Sequence, residues 1–153
     1  MILPSTLTTR PAAESDRGFA YAVKRAALGP YVEQVWGWDE AVQQDFHSGA
    51  WEARRPDIIV LDGEDAGTVQ FVRRDADYLL AEFYLLPRFQ GRGVGSRLLR
   101  RMLGRADADG VPVTLQVIKI NPARNLYERH GFRITGETAT HFLMERAPPP
   151  PAA

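Results

Sequence analysis

The spacing of apolar positions changes several times along the chain, and each change predicts an element. A short stretch around Leu7–Arg10 reads as a strand. Phe19, Val23, Ala26 and Ala27 then recur at helical spacing, which predicts a helix from about Ser15 to Leu28, interrupted by Gly29–Pro30. The segment YVEQVWGWDEAVQQDF begins aromatic, breaks at Gly37 and resumes as a second helix with Asp39 near its start. In DIIVLDGEDAGTVQFVRRDADYLLAEFYLLP, apolar runs alternate with Asp, Gly and Glu turn clusters, the pattern of three strands in a meander. Leu98, Leu99, Met102, Leu103 and Ala106 line one face of a third helix that ends by Gly110. PVTLQVIKI reads as a buried strand. Asn121 is then a cap and Pro122 a first-turn proline, for a short helix from Ala123 to about His130 that Gly131 stops. FRITG and THFLMER are the last two strands, and no internal repeat is found.

One strand, two helices, three strands, then helix, strand, helix and two strands make a mixed α/β sheet covered by helices. At 153 residues the chain is expected to form a single domain over residues 1–146, followed by the tail APPPPAA at 147–153, which is too rich in proline to pack and is expected to be disordered. Nineteen basic against nineteen acidic side chains leave no net charge, so nothing draws the whole molecule to a polyanion. The absence of cysteine excludes a disulfide framework, a thiolate metal site and a cysteine nucleophile. MILPSTLTTRPAAESD lacks the basic and apolar regions of a secretory leader, and no stretch approaches the roughly 18 apolar residues of a membrane span. The expectation is a soluble, cytoplasmic protein that engages neither membrane nor nucleic acid.

The chemistry concentrates in FQGRGVGSRLLRRML, residues 89–103, where glycines stand at 91, 93 and 95 directly before the third helix. Backbone N–H groups at such a junction converge with the helix dipole on a phosphate or pyrophosphate; the alternative is a tight strand-to-helix turn that binds nothing. A P-loop needs G-x-x-x-x-G-K-S/T, and no lysine follows Gly95. A dinucleotide fingerprint needs G-x-G-x-x-G, and the third glycine is missing here. There is likewise no G-x-S-x-G elbow, and the three histidines lack metal-ligand spacing, so no metal site is expected.

What remains is Q-x-x-G-x-G from Gln90 to Gly95, after the strand EFYLLP and before NPARNLYERHGF. This ordered pair of motifs resembles the GNAT acyltransferase superfamily, whose acetyl-coenzyme A loop has the form Q/R-x-x-G-x-G/A and whose next helix ends in an LYE..GF pattern. The order of elements extends the likeness over about residues 5–146. The resemblance implies a GNAT-like mixed, mostly antiparallel central sheet of about six to seven strands flanked by about four helices. It also implies that the amides of Gly91, Arg92, Gly93, Val94, Gly95 and Ser96 cradle the coenzyme pyrophosphate, with Gln90 shaping the loop. The end of the preceding strand, Phe83 to Leu86, would pair with the pantetheine arm, and the amide of Leu85, beside Leu86, would polarise the thioester carbonyl.

By the same resemblance Tyr127 corresponds to the tyrosine that donates a proton to the departing thiolate; a phenol with an ordinary pKa of about 10 stays protonated at neutral pH. Its alternative is a packing aromatic. Asn121 stands six residues before Tyr127, one fewer than the family usually has, so capping is the role its position supports and contact with the cofactor is the second. Glu82, on the strand leading to the loop, is the leading candidate for the base that neutralises an amine, against a solvated edge-strand charge; one residue of register separates the two. His141 is a second candidate, while His47 and His130 have weaker claims. Tyr31, Trp36 and Trp38 are candidates for the wall of an acceptor site, with Glu33 or Asp39 as counter-charge, against core or dimer packing. The arginines at 92, 97, 100, 101 and 105 read as a solvated helix face, the alternative being that Arg92 or Arg97 reaches a coenzyme phosphate.

The resemblance therefore implies an acetyl-coenzyme A-dependent N-acetyltransferase that acts on a primary amine of a small molecule or peptide, as a monomer or homodimer. The alternatives are a non-catalytic acyl-coenzyme A sensor on the same fold, or an interaction module whose loop is empty.

Overall fold

The periodicities close into seven strands and four α-helices in a computed structural model that describes residues 5–151. The first four residues of the N-terminal segment, and the last two of the expected tail, lie outside the described residues. The elements are β1 (Leu7–Pro11), α1 (Arg17–Trp36), α2 (Glu40–Ala53), β2 (Asp57–Leu61), β3 (Glu64–Arg73), β4 (Tyr78–Leu85), α3 (Val94–Asp109), β5 (Val113–Ile118), α4 (Ala123–Arg129), β6 (Arg133–Glu137) and β7 (His141–Arg146), with short 3-10 turns at Glu14–Asp16 and Pro87–Phe89. The strands hydrogen-bond in the order β1-β2-β3-β4-β5-β7-β6. Pairing is antiparallel for β1 with β2, β2 with β3, β5 with β7 and β6 with β7, and parallel where Tyr78 and Leu79 of β4 meet Val113 and Thr114 of β5. This is the mixed, mostly antiparallel sheet with four helices that the sequence predicts.

The described residues divide into two compact units. The first comprises the chain through Gln70 together with Glu82–Val94. Here the structure corrects the expected break at Gly29–Pro30, because α1 runs without interruption to Trp36. An interior proline removes one backbone hydrogen bond and costs about 3 kcal/mol. Packing outweighs that cost: Gly29 and Val32 are buried, and the Trp38 ring lies 3.5 Å from the point a Gly29 Cβ would occupy. The helix stops at Gly37, whose positive φ of 78° turns the chain while its N–H still donates to the Glu33 carbonyl. Asp39 then caps α2 by accepting from the Val42 N–H at 3.1 Å. That helix is largely exposed and buries only His47 and Trp51, one turn apart.

The second unit comprises Phe71–Ala81 and the chain from Gly95 onward. The apolar face of α3 is buried as its spacing requires: Leu98, Leu99, Met102, Leu103 and Ala106 are each no more than 5% exposed. Phe71 and Tyr78 stack with ring centroids 4.4 Å apart, the Arg105 guanidinium lies over both, and Tyr78 donates to Asp109 at the end of α3. Arg146 on β7 grips Asp107 through two hydrogen bonds. No helix among the described residues is long and apolar enough to cross a membrane.

Candidate active site

The loop after β4 is shaped by its backbone. Leu86 donates to the Ala66 carbonyl at 2.9 Å, and Pro87–Phe89 then makes a single tight turn. Gln90 reaches back, its Nε2 donating to the Leu85 carbonyl at 2.9 Å, so this side chain ties the loop to the end of the strand. Gly91 and Gly93 have φ of 72° and 78°, a region that costs an L-residue roughly 1–2 kcal/mol, and a Cβ on either would meet nothing within 4 Å. The space around both glycines is therefore open. Val94, which is buried, anchors the first turn of α3, and that turn carries no acidic residue. A helix start leaves its first N–H groups without intrahelical partners and favours negative charge. Arg92 and Arg88 lie over the buried Phe89 ring at 5.6 and 4.5 Å, and both side chains stay at the surface.

Glu82 lies three residues before the end of β4, in the same unit as the loop. It lines a cavity of about 40 Å³ with Ala20, Lys24, His47, Trp51 and Gln70 among its neighbours, enough room for a few waters. The carboxyl keeps some solvent contact, yet its enclosure raises its pKa above the ordinary carboxylate value; Lys24 and the Thr68 hydroxyl oppose that shift without cancelling it. Thr68 Oγ1 is itself fully buried with no partner at hydrogen-bonding distance among the described residues, so its influence on Glu82 is that of a nearby dipole. The register thus turns Glu82 inward, toward the cavity, rather than leaving it a solvated edge charge. His47 lies 3.0 Å through Nε2 from the Arg17 carbonyl, which fixes the proton on Nε2, and burial lowers its pKa.

In the other unit, Tyr127 on α4 is 7% exposed and meets the Phe132 ring edge to face at 5.6 Å. Burial pushes its phenol well above the ordinary tyrosine value, so it is protonated throughout the neutral range. Asn121 Oδ1 accepts from the Ala123 N–H at 2.9 Å, but it stands one residue before the cap position of α4, which Pro122 occupies in place of the expected Asn121. His130 closes that helix by pairing Nδ1 with the Leu126 carbonyl, and His141 pairs with the Thr140 hydroxyl at 2.8 Å.

The three aromatic candidates separate. Trp38 donates from Nε1 to Glu40 at 2.7 Å, shares that carboxylate with the Tyr21 hydroxyl, and covers Gly29. Trp36 is 54% exposed and Tyr31 half-buried.

A sequence model described as an acetyltransferase (GNAT) domain matches residues 54–134, more than half of the chain. The chain belongs to the GNAT acetyltransferase family. Solved GNAT structures share its fold. PaiA N-acetyltransferase from Thermoplasma acidophilum, in complex with coenzyme A, superposes with a TM-score of 0.73 at 15% identity, covering 93% of this chain and 99% of that one. An acetyltransferase from Thermus thermophilus gives 0.69 at 24% identity, with 93% and 97% covered. The ribosomal-protein-S18-alanine N-acetyltransferase from Escherichia coli gives 0.66 at 20% identity, with 93% and 94% covered. The matched span of the GNAT domain takes in Glu82, the loop through Ser96, Asn121 and Tyr127; the α1–α2 segment with Tyr31, Trp36 and Trp38 lies outside it.

One residue near the end of β4 escaped the sequence reading. Gly67 on β3, part of a turn cluster in the sequence, lies close against the neighbouring strand β4, where an added Cβ would fall 2.0 Å from the Tyr84 carbonyl oxygen and 3.0 Å from Leu85 Cα. The contact is between positions 17 residues apart, and a lone glycine in a strand is the only sequence signal for it.

Proposed function

We propose that this GNAT protein transfers the acetyl group of acetyl-coenzyme A directly to a primary amine of a small molecule or peptide, without a covalent enzyme intermediate. The observation that carries the reading is the open glycine loop at the head of α3, with two positive-φ glycines, an acid-free first turn and a glutamine bracing it to the preceding strand. Such a cradle fits a pyrophosphate, bound by main-chain amides and the helix dipole rather than by any one side chain. The coenzyme A present in the Thermoplasma acidophilum structure supports the same ligand.

In this reading the amides of Gly91 through Ser96 hold the pyrophosphate, and Leu85 and Leu86 present main chain to the pantetheine arm. The Leu85 N–H faces the thioester oxygen as negative charge develops there. Glu82 takes the proton from the incoming ammonium, directly or through water in its cavity; its raised pKa makes it a better base than an exposed carboxylate. Tyr127, held protonated by burial, gives its proton to the departing thiolate. Asn121 serves by accepting from the first N–H of the helix that carries Tyr127. Trp36 and Tyr31 contribute to the acceptor wall, and Trp38 braces it.

Calorimetric titration with acetyl-coenzyme A, with free coenzyme A and NADH as controls, tests the cofactor assignment. Micromolar affinity for both coenzyme A forms and none for NADH is expected; no binding overturns the proposal. A thiol-release screen across small amines and peptides then separates an enzyme, which releases coenzyme A with at least one of them, from a sensor, which releases none.

A further inference from the structure

We propose that Gly67 is a positioning residue for acyl transfer, setting the direction of the Leu85 amide from the neighbouring strand; the inference rests on the function proposed above. The Tyr84 carbonyl oxygen is 2.0 Å from the place where a Gly67 Cβ would stand, while the Tyr84 carbonyl carbon is 3.0 Å from it. A carbonyl bond is about 1.23 Å long, so with the oxygen leading by most of that length the Tyr84 C=O is aimed largely at Gly67.

A trans peptide is planar and holds its C=O and the following N–H in opposite directions. No cis peptide occurs among the described residues. The Leu85 N–H therefore points away from Gly67 and β3. The groups on either side reinforce this setting. Leu86 donates back to Ala66 of β3, fixing the strand one residue on, and Gln90 Nε2 takes the Leu85 carbonyl. Leu85 is thus held on three counts: by the close seat over Gly67, by the Leu86–Ala66 bond and by the glutamine of the loop.

The glycine is required by contact and not by torsion, since it has no positive φ. Any Cβ at position 67 collides with main chain, which cannot rotate away as a flexible side chain would. The Tyr84–Leu85 peptide must then lift or swing, and the Leu85 N–H swings with it. Catalysis by a preorganised donor depends steeply on direction, and the loss of one such donor lowers turnover by roughly 10²–10³-fold. Binding of the pyrophosphate, by amides six or more residues further on, does not share that dependence.

The test compares Gly67→Ala with the parent protein. A folded Gly67→Ala variant is expected to bind coenzyme A within about threefold of the parent and to turn over at least tenfold more slowly at saturating substrates. Infrared difference spectra of bound acetyl-coenzyme A labelled with carbon-13 at the carbonyl supply a readout that a merely structural role would not move. The lowered thioester stretch of the parent complex should return toward its solution value in the variant. Unchanged turnover and an unchanged stretch in folded Gly67→Ala overturn the inference while leaving the proposed function standing. Should the variant fail to fold, the Leu85 amide resonance of the nitrogen-15-labelled parent decides. A downfield proton shift with acetyl-coenzyme A beyond that with coenzyme A supports the inference, and equal responses overturn it. A parent that binds no acetyl-coenzyme A overturns the proposed function, and this inference falls with it.

Discussion

The β4–α3 loop and the α1–α2 segment both belong to the first compact unit, and the sequence offers both as candidate binding places. They are built on opposite principles. The loop works through main chain: two of its glycines set φ, Gln90 holds a carbonyl, Arg88 pairs with Glu64, and the space around both glycines is left open. The α1–α2 segment works through side chains that mostly satisfy one another. Glu40 accepts from Trp38 and Tyr21, Arg25 lies over the Trp38 ring, and Asp39 caps its own helix. Backbone geometry answers to a few glycines and can be recognised in a short motif, whereas aromatic side chains serve packing and recognition alike, so their presence alone does not say which.

If that contrast holds, substitutions in the two regions should fail differently. The largest effect belongs to Gly93→Trp, which forces a bulky side chain into a positive-φ position on the open face of the loop; coenzyme affinity should fall by more than about 10²-fold in calorimetry with the fold intact, and retained affinity would remove the loop from the site. Glu82→Gln should leave coenzyme binding alone and lower kcat/KM by roughly 10³-fold.

The pH dependence carries a sign that checks the same residue. Because the folded pKa of Glu82 is raised, kcat/KM of the parent should fall as pH drops through that raised value, and the variant should lack this limb. Stability moves the other way. A carboxyl that holds its proton more tightly in the fold than in the unfolded chain loses stability as pH rises from the ordinary carboxylate value through the folded one. Glu82→Gln should therefore melt no lower, and at neutral pH higher, than the parent.

Tyr127→Phe should lower kcat by roughly 10²-fold with coenzyme affinity within about twofold, read by thiol release and calorimetry together; an unchanged rate would return this tyrosine to packing. The smallest effect is expected where side chains serve structure. Trp38→Phe loses the bond to Glu40, worth about 1 kcal/mol, and should lower Tm by a few degrees without touching coenzyme affinity. A large drop in coenzyme affinity from that change would erase the distinction between the two regions.

The same contrast explains what could be read in the chain. Apolar spacing and turn residues placed all seven strands and four helices, although β6 buries no face. They misplaced the end of α1, because Gly29–Pro30 punctuates locally while the burial of Gly29 beneath Trp38 is decided by a residue beyond the helix. The loop was legible because its requirement, glycines at fixed intervals before a helix, is local. The burial of Glu82 was not, since it depends on which face of β4 meets the helices and on the cavity that Lys24 and His47 complete. Gly67 was the least legible, since nothing around it in sequence reveals how closely the neighbouring strand approaches it.

The seat of Tyr84 over Gly67 also bears on how this chain can vary over generations. A position chosen for its side chain usually admits neighbours of similar size or polarity, and drift can pass through them. At position 67 every other amino acid carries the one atom that collides, so substitution there has no conservative first step. In a saturation library scored for activity, that strand should show a single column empty of substitutions, bordered by columns that accept many. The gap would mark a place where selection acts on something the residue lacks.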